Sequence, residues 1–186
     1  MQFKLPIWIN PPAKVKKQAI IEQIVANLER RRWLPEDLGP RYVLVNAGDY
    51  SMVFVDGGQR VFESLVIVGT PKNPSPEIQS VMGGFQTNPF WTVPPSISGE
   101  EYLPLLRRDP NALAASGFKI FSSWSDNDSE LDPTTVDWNS IHPKAFPYRI
   151  RQDPGASNAL GYIFFPFSNK YGIYMHDTAN RWLFTE

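Results

Sequence analysis

At 186 residues the chain can bury roughly 70% of the surface its unfolded form exposes, enough for a core of its own. Eighteen basic against nineteen acidic residues leave a formal charge of −1, so neither nucleic acid nor an anionic membrane is an expected partner. No residue is cysteine, which excludes disulfides, thiolate metal sites and a thiol nucleophile among these residues.

Eighteen prolines, roughly one residue in ten against about one in twenty on average, favour loops and edge strands over long helices. Met1 to Asn10 holds a short apolar run, Leu5 to Ile9, broken by Pro6 and too short for the h-region of a signal peptide. No later run approaches the ~20 apolar residues of a membrane span. From Ala13 to Arg32 the pattern is helical, with Ile21, Ile24, Val25 and Leu28 at spacings of three and four. The basic residues at its ends read as a solvated face. Tyr42–Asn46, Tyr50–Val55 and Arg60–Val68 then read as strands, and Asp56-Gly57 signals a hairpin between the last two.

Asn88-Pro-Phe-Trp-Thr-Val-Pro-Pro-Ser-Ile97 must run extended, because each proline fixes φ and removes an N–H. Trp91 within it either packs on the sheet or lines a binding groove. Ser98 and Glu101 form a capping-box pair ahead of Leu103, Leu105 and Leu106, and Asp109-Pro110 starts a further short helix closed by Gly117. Ser122 to Asp132 reads as a solvated acidic loop; Asp126, Asp128, Glu130 and Asp132 lack the glycine and closing glutamate of a calcium loop. His142, before Pro143, reads as incidental, and two histidines without further ligands make no metal site. No metal and no cofactor is expected.

A long irregular loop, Gln152 to Gly161, leads into two short apolar strands, the second of which, Gly172 to His176, ends on a histidine. That ending suits a general base, its backbone fixed and its ring free to face a cleft.

Asn27-Leu-Glu-Arg-Arg-Arg-Trp-Leu34, Arg41-Tyr-Val-Leu-Val-Asn46, Val66-Ile-Val-Gly69, the Asn-Pro-x-Trp-x-Val-Pro element from Asn88, and Arg149 to Thr178 together resemble the L,D-transpeptidases. These are the YkuD-type enzymes that cross-link bacterial peptidoglycan, and the likeness is to their murein-transpeptidase branch, from about Ala19 to Phe184. The resemblance implies a mainly β fold, a barrel or sandwich, with an N-terminal helix and a small helical cap. It implies residues 1–40 as helix and lead-in, and 41–186 as a partial catalytic domain with a capping insertion at about 98–147. His176 would be the general base, held by the backbone carbonyl of Asp177, although the Asp177 carboxylate could orient it instead. Trp91, Tyr174 and Thr178 are the candidate substrate contacts.

The family's nucleophilic cysteine belongs to a Ser-His-Gly-Cys motif shortly downstream of its His-Asp-Thr. The chain is therefore expected to be a partial domain, cut before that motif, inactive alone. The implied reaction is acyl transfer from a tetrapeptide stem, with release of D-alanine and formation of a 3→3 cross-link. It implies peptidoglycan stem peptides as partners, carbapenem-type inhibitors of the complete domain, and a place in the periplasm or cell envelope. The alternatives are a cysteine-free pseudoenzyme and a β-rich module that recognises stem peptides. Phe164, Pro166, Ser168, Lys170 and Ala179 stand where relatives usually carry lysine, methionine, proline, proline and proline, which bears on substrate preference first and on activity second.

Overall fold

The hairpin at Asp56 shows how directly local chemistry builds the first sheet. Asp56 pairs with Gln59 across a two-residue turn whose glycines, Gly57 and Gly58, have φ of 57° and 79°. Both central residues thus lie in the left-handed region, which glycine enters without penalty and which suits the right-handed twist of the strands. In this computed structural model, residues 2–4, 17–33, 35–125 and 127–184 are described. They divide into two units, residues up to 83 with 167–173, and residues 84–166 with 174 onward.

The first unit is a four-stranded sheet in the order β1-β2-β3-β4: Gln2–Lys4, Arg41–Asn46, Ser51–Asp56 and Gln59–Leu65. β1 runs parallel to β2 and the remaining pairs are antiparallel. Helix α1, Lys17–Arg32, contains no glycine or proline and ends on three arginines, which favour the negative end of the helix dipole. The expected apolar stripe is not its buried side: Ile21, Ile24, Val25 and Leu28 are exposed, and Asn27 is buried. Periodicity identified the helix, but its apolar stripe is not what the fold covers. The first four residues of the predicted helix, 13–16, lie outside the described residues.

The second unit holds two three-stranded sheets. One orders β6-β8-β7, which are Trp91–Thr92, Arg149–Gln152 and Phe118–Phe121; the other orders β10-β9-β5, which are Met175–His176, Ile163–Phe165 and Gln86–Thr87. All their pairings are antiparallel. The core is Val93, Leu103, Leu106, Leu113, Ile120, Trp138, Phe146 and Ile150. Ile120 and Ile150 are cross-strand partners on one face, while the alternate residues Lys119 and Arg151 take the other. Trp138 stacks on Phe146 at 6.3 Å between ring centres and donates its indole N–H to the Pro133 carbonyl. Its polar edge is thereby satisfied inside the core.

Ser98 does not start a helix as a capping box would. The helical rod begins earlier, at α2 (Pro95–Ile97), passes through a π-helical turn at Ser98–Tyr102 and continues as α3 (Leu103–Arg108). Pro95 supplies the start, since a first-turn proline needs no donor and already has helical φ. A side chain at Gly99 would collide with the backbone of Pro143, so glycine is required by close packing there. Beyond α3, the turn from Asp109 closes at Gly117, whose φ is 75°.

The acidic segment also departs from expectation. The Asp128 side chain is 2% exposed and pairs with Arg149 at 2.6 Å, and Glu130 bridges to Phe121. Asp128 is therefore part of a buried ion pair and not a solvated loop residue; Asp126 lies outside the described residues. The mainly β expectation holds, with ten strands in three sheets and a single long helix among the described residues.

Candidate active site

The site is built on the loop between β8 and β9. Gln152, buried at the end of β8, donates from Nε2 to the carbonyls of Ser116 and Ser157, each at 2.9 Å, and accepts from Ala159 N–H on Oε1. Asn158 is fully buried and does more. Its Nδ2 donates to the carbonyls of Pro89 and Asp153, its Oδ1 accepts from Leu160 N–H at 2.8 Å, and its own carbonyl accepts from Gly161 N–H. Two buried amides thus satisfy backbone groups that an irregular loop cannot pair by itself.

This loop delivers Gly161 with φ of 62°. A Cβ at that position would overlap the carboxylate of Asp177, so glycine is required both for the backbone turn and for the space. Into that space Asp177 brings Oδ2, which accepts from Tyr162 N–H and from the Arg181 guanidinium, each at 2.9 Å. Asp177 N–H donates to the Ile163 carbonyl at 2.8 Å, which extends the β9–β10 pairing by one residue. Desolvation is the largest influence on the Asp177 carboxyl and raises its pKa. The N–H groups of Tyr162 and Thr178 and the charge of Arg181 together outweigh it, and the pKa ends below its ordinary value.

His176 is the exposed last residue of β10, and its Nδ1 lies 2.5 Å from the Asp177 carbonyl oxygen. A carbonyl can only accept, so Nδ1 carries the proton and Nε2 is left with its lone pair outward. His176 pairs across the sheet with Phe164, whose other neighbour is Gln86. Cross-strand partners share a face, and the Phe164 ring meets Tyr174 edge-on at 5.0 Å. The imidazole therefore stands on a face carrying two aromatic rings.

Of the other candidate residues, Tyr174 is exposed on this face, and Thr178 accepts Asn180 N–H on its hydroxyl. Trp91 is half-buried and packs edge-on against Tyr102 and Phe118 beside the core. His142 caps a 3-10 turn by accepting Lys144 N–H on Nδ1. Among the described residues no cluster of three or more histidines or carboxylates could hold a metal. Sequence reasoning passed over Gly161, the Tyr162 N–H and Arg181. Arg181, four residues after Asp177, was the one with a readable signal.

The depressed pKa of Asp177 sets a pH dependence. A carboxylate held below its ordinary value of 3.8 stabilises the fold above that pH, and the contribution is lost as pH falls through the lower folded value. Asp177→Asn is expected to be less stable than the parent at neutral pH, with the gap closing below about pH 4, where the unfolded carboxyl protonates. Urea unfolding of both proteins from pH 2 to 7 measures this; a gap that stays constant would show that the carboxylate is not held by these donors.

Residues 40–186 match the family model of the YkuD L,D-transpeptidase catalytic domain. A protein of Haemophilus influenzae, "Putative L,D-transpeptidase", is 35% identical over 180 residues, which is 97% of this chain and 35% of the relative. The chain spans about a third of that relative's length.

Proposed function

Because the chain belongs to the family of YkuD-type L,D-transpeptidase catalytic domains, we propose that it carries the general-base half of a peptidoglycan acyl-transfer site, in the murein-transpeptidase branch of that family. The observation that carries this reading is the imidazole of His176, donating from Nδ1 to the Asp177 carbonyl with Nε2 left free. In the chemistry that such a histidine serves, Nε2 takes the proton of a cysteine thiol. The thiolate attacks the carbonyl that precedes the terminal D-alanine of a tetrapeptide stem. As the carbon–nitrogen bond breaks, the imidazolium returns its proton to the departing D-alanine amine, leaving a thioester. The side-chain amine of a diamino acid on a second stem then attacks the thioester, forming the 3→3 amide and regenerating the thiol.

None of the 186 residues is cysteine, so the thiol is supplied from outside them. Asp177 acts through its backbone carbonyl on the ring, while its carboxylate anchors that carbonyl on the Gly161–Tyr162 turn. Residues 98–147 act as the capping insertion of the domain, and the cell envelope is the place of action. Tyr174 and Thr178, next to the imidazole in the chain, contact the stem. The test is release of D-alanine from a soluble tetrapeptide by a chain extended with the family's Ser-His-Gly-Cys segment. Release with a new cross-linked dimer supports the reading. A second reading, stem recognition without catalysis, draws on the absence of cysteine; it predicts tetrapeptide binding with no D-alanine released even by the extended chain.

A further inference from the structure

The outer face of the β6–β8–β7 sheet carries a cation that the proposed chemistry does not use. Across its three strands, Thr92, Arg151 and Lys119 stand in one row of register partners. Lys119 pairs with Asp153 at 2.8 Å, and the neighbouring Arg149 pairs with Asp128. Arg151 pairs with no carboxylate among the described residues. Its guanidinium carbon lies 4.4 Å from the ring centre of Phe90 and 4.7 Å from that of Phe121, and its Nε is buried without a hydrogen-bond partner among the described residues.

The balance of these terms is informative. A ring face attracts a guanidinium through its quadrupole. A buried donor left unpaired loses the hydrogen bond it would make in water. The two rings hold the side chain in place and give the buried Nε no ordinary acceptor, so a ligand would meet the terminal N–H groups of the guanidinium. Lys119 and Arg149 each have a carboxylate partner, and Glu130 also acts on Lys119, which leaves Arg151 as the cation of this row with no direct carboxylate contact among the described residues. A planar carboxylate matches a guanidinium edge with two parallel hydrogen bonds.

We propose that Arg151, held by Phe90 and Phe121, anchors a carboxylate-binding site on the outer face of this sheet, and that it takes a free carboxylate of a peptidoglycan stem. The stem assignment rests on the function proposed above; the carboxylate site does not. The test follows the Nε–Hε resonance of Arg151 by NMR, assigned by its loss in Arg151→Lys. The probes are propionate, inorganic phosphate, a soluble tetrapeptide with free carboxylates and the same peptide fully amidated.

Propionate and the free-acid peptide are expected to move the resonance more than phosphate does, and the amidated peptide to leave it in place. Arg151→Lys should bind the free-acid peptide about tenfold or more weakly, the scale of a lost charge-assisted bidentate contact. Phosphate matching or exceeding propionate, or equal binding by the amidated peptide or by Arg151→Lys, would overturn the site. Movement with propionate but with neither peptide would keep the carboxylate site and overturn the stem assignment. Should Arg151→Lys fail to fold, the free-acid and amidated peptides on the unaltered chain decide the matter.

Discussion

Replacing His176 with alanine, in a chain extended with the family's Ser-His-Gly-Cys segment, is expected to slow acylation by a carbapenem on the order of a hundredfold or more, the scale of losing a positioned base. The 186-residue chain itself should form no carbapenem adduct and release no D-alanine. His176 can accept a proton, but none of these residues offers a thiol, and serine or threonine lacks the low pKa that makes cysteine a ready nucleophile. Mass spectrometry reads both results as the presence or absence of one added carbapenem. An adduct on the 186-residue chain would show a nucleophile other than cysteine. Full-rate acylation of the extended His176→Ala protein would remove the histidine from the mechanism.

The second large effect is expected away from the imidazole, at Asn158. Asn158→Leu keeps the branched shape but strands the carbonyls of Pro89 and Asp153 and the N–H of Leu160 in a fully buried setting. At about 1–3 kcal/mol for each unpaired buried group, the loss should reach about 3 kcal/mol or more. For a protein of this size, that lowers the unfolding midpoint by roughly 6–12 °C. Because this loop also presents Gly161 and the Tyr162 N–H to Asp177, the Asp177 carboxyl should titrate closer to its ordinary value in the variant. A thermal shift of a degree or two would mean that the loop is held by something other than this amide.

These two residues mark the boundary of what the sequence made legible. The place of His176 at a strand end, against the Asp177 carbonyl, was readable because an apolar run, an adjacent aspartate and a family pattern coincide within a few residues. The Asp56-Gly57 hairpin was readable for the same reason, its determinants being local. Asn158 was not, since its partners lie as far away as Pro89, and a buried asparagine has no periodic signature. Asp128 was misread: a carboxylate in a polar run suggests solvent, and only the fold brings it to Arg149 on β8, in a pair at 2.6 Å. The capping-box expectation at Ser98 failed because Pro95 starts the helix earlier. The apolar spacing of α1 identified the helix but not what it buries, because burial depends on what the rest of the fold brings to that face.

The proposal that His176 serves as the base turns on which ring nitrogen is free, and the chain contains its own internal reference. His142 accepts Lys144 N–H on Nδ1, which places its proton on Nε2, whereas His176 faces a carbonyl through Nδ1 and must carry its proton there. Long-range proton–nitrogen NMR correlation on the 186-residue chain, above the pH at which imidazoles protonate, should therefore show its two histidines as opposite tautomers. His176 should be protonated on Nδ1 with an unprotonated Nε2. A His176 protonated on Nε2, or exchanging freely between tautomers, would contradict the arrangement from which the acyl-transfer reading is drawn.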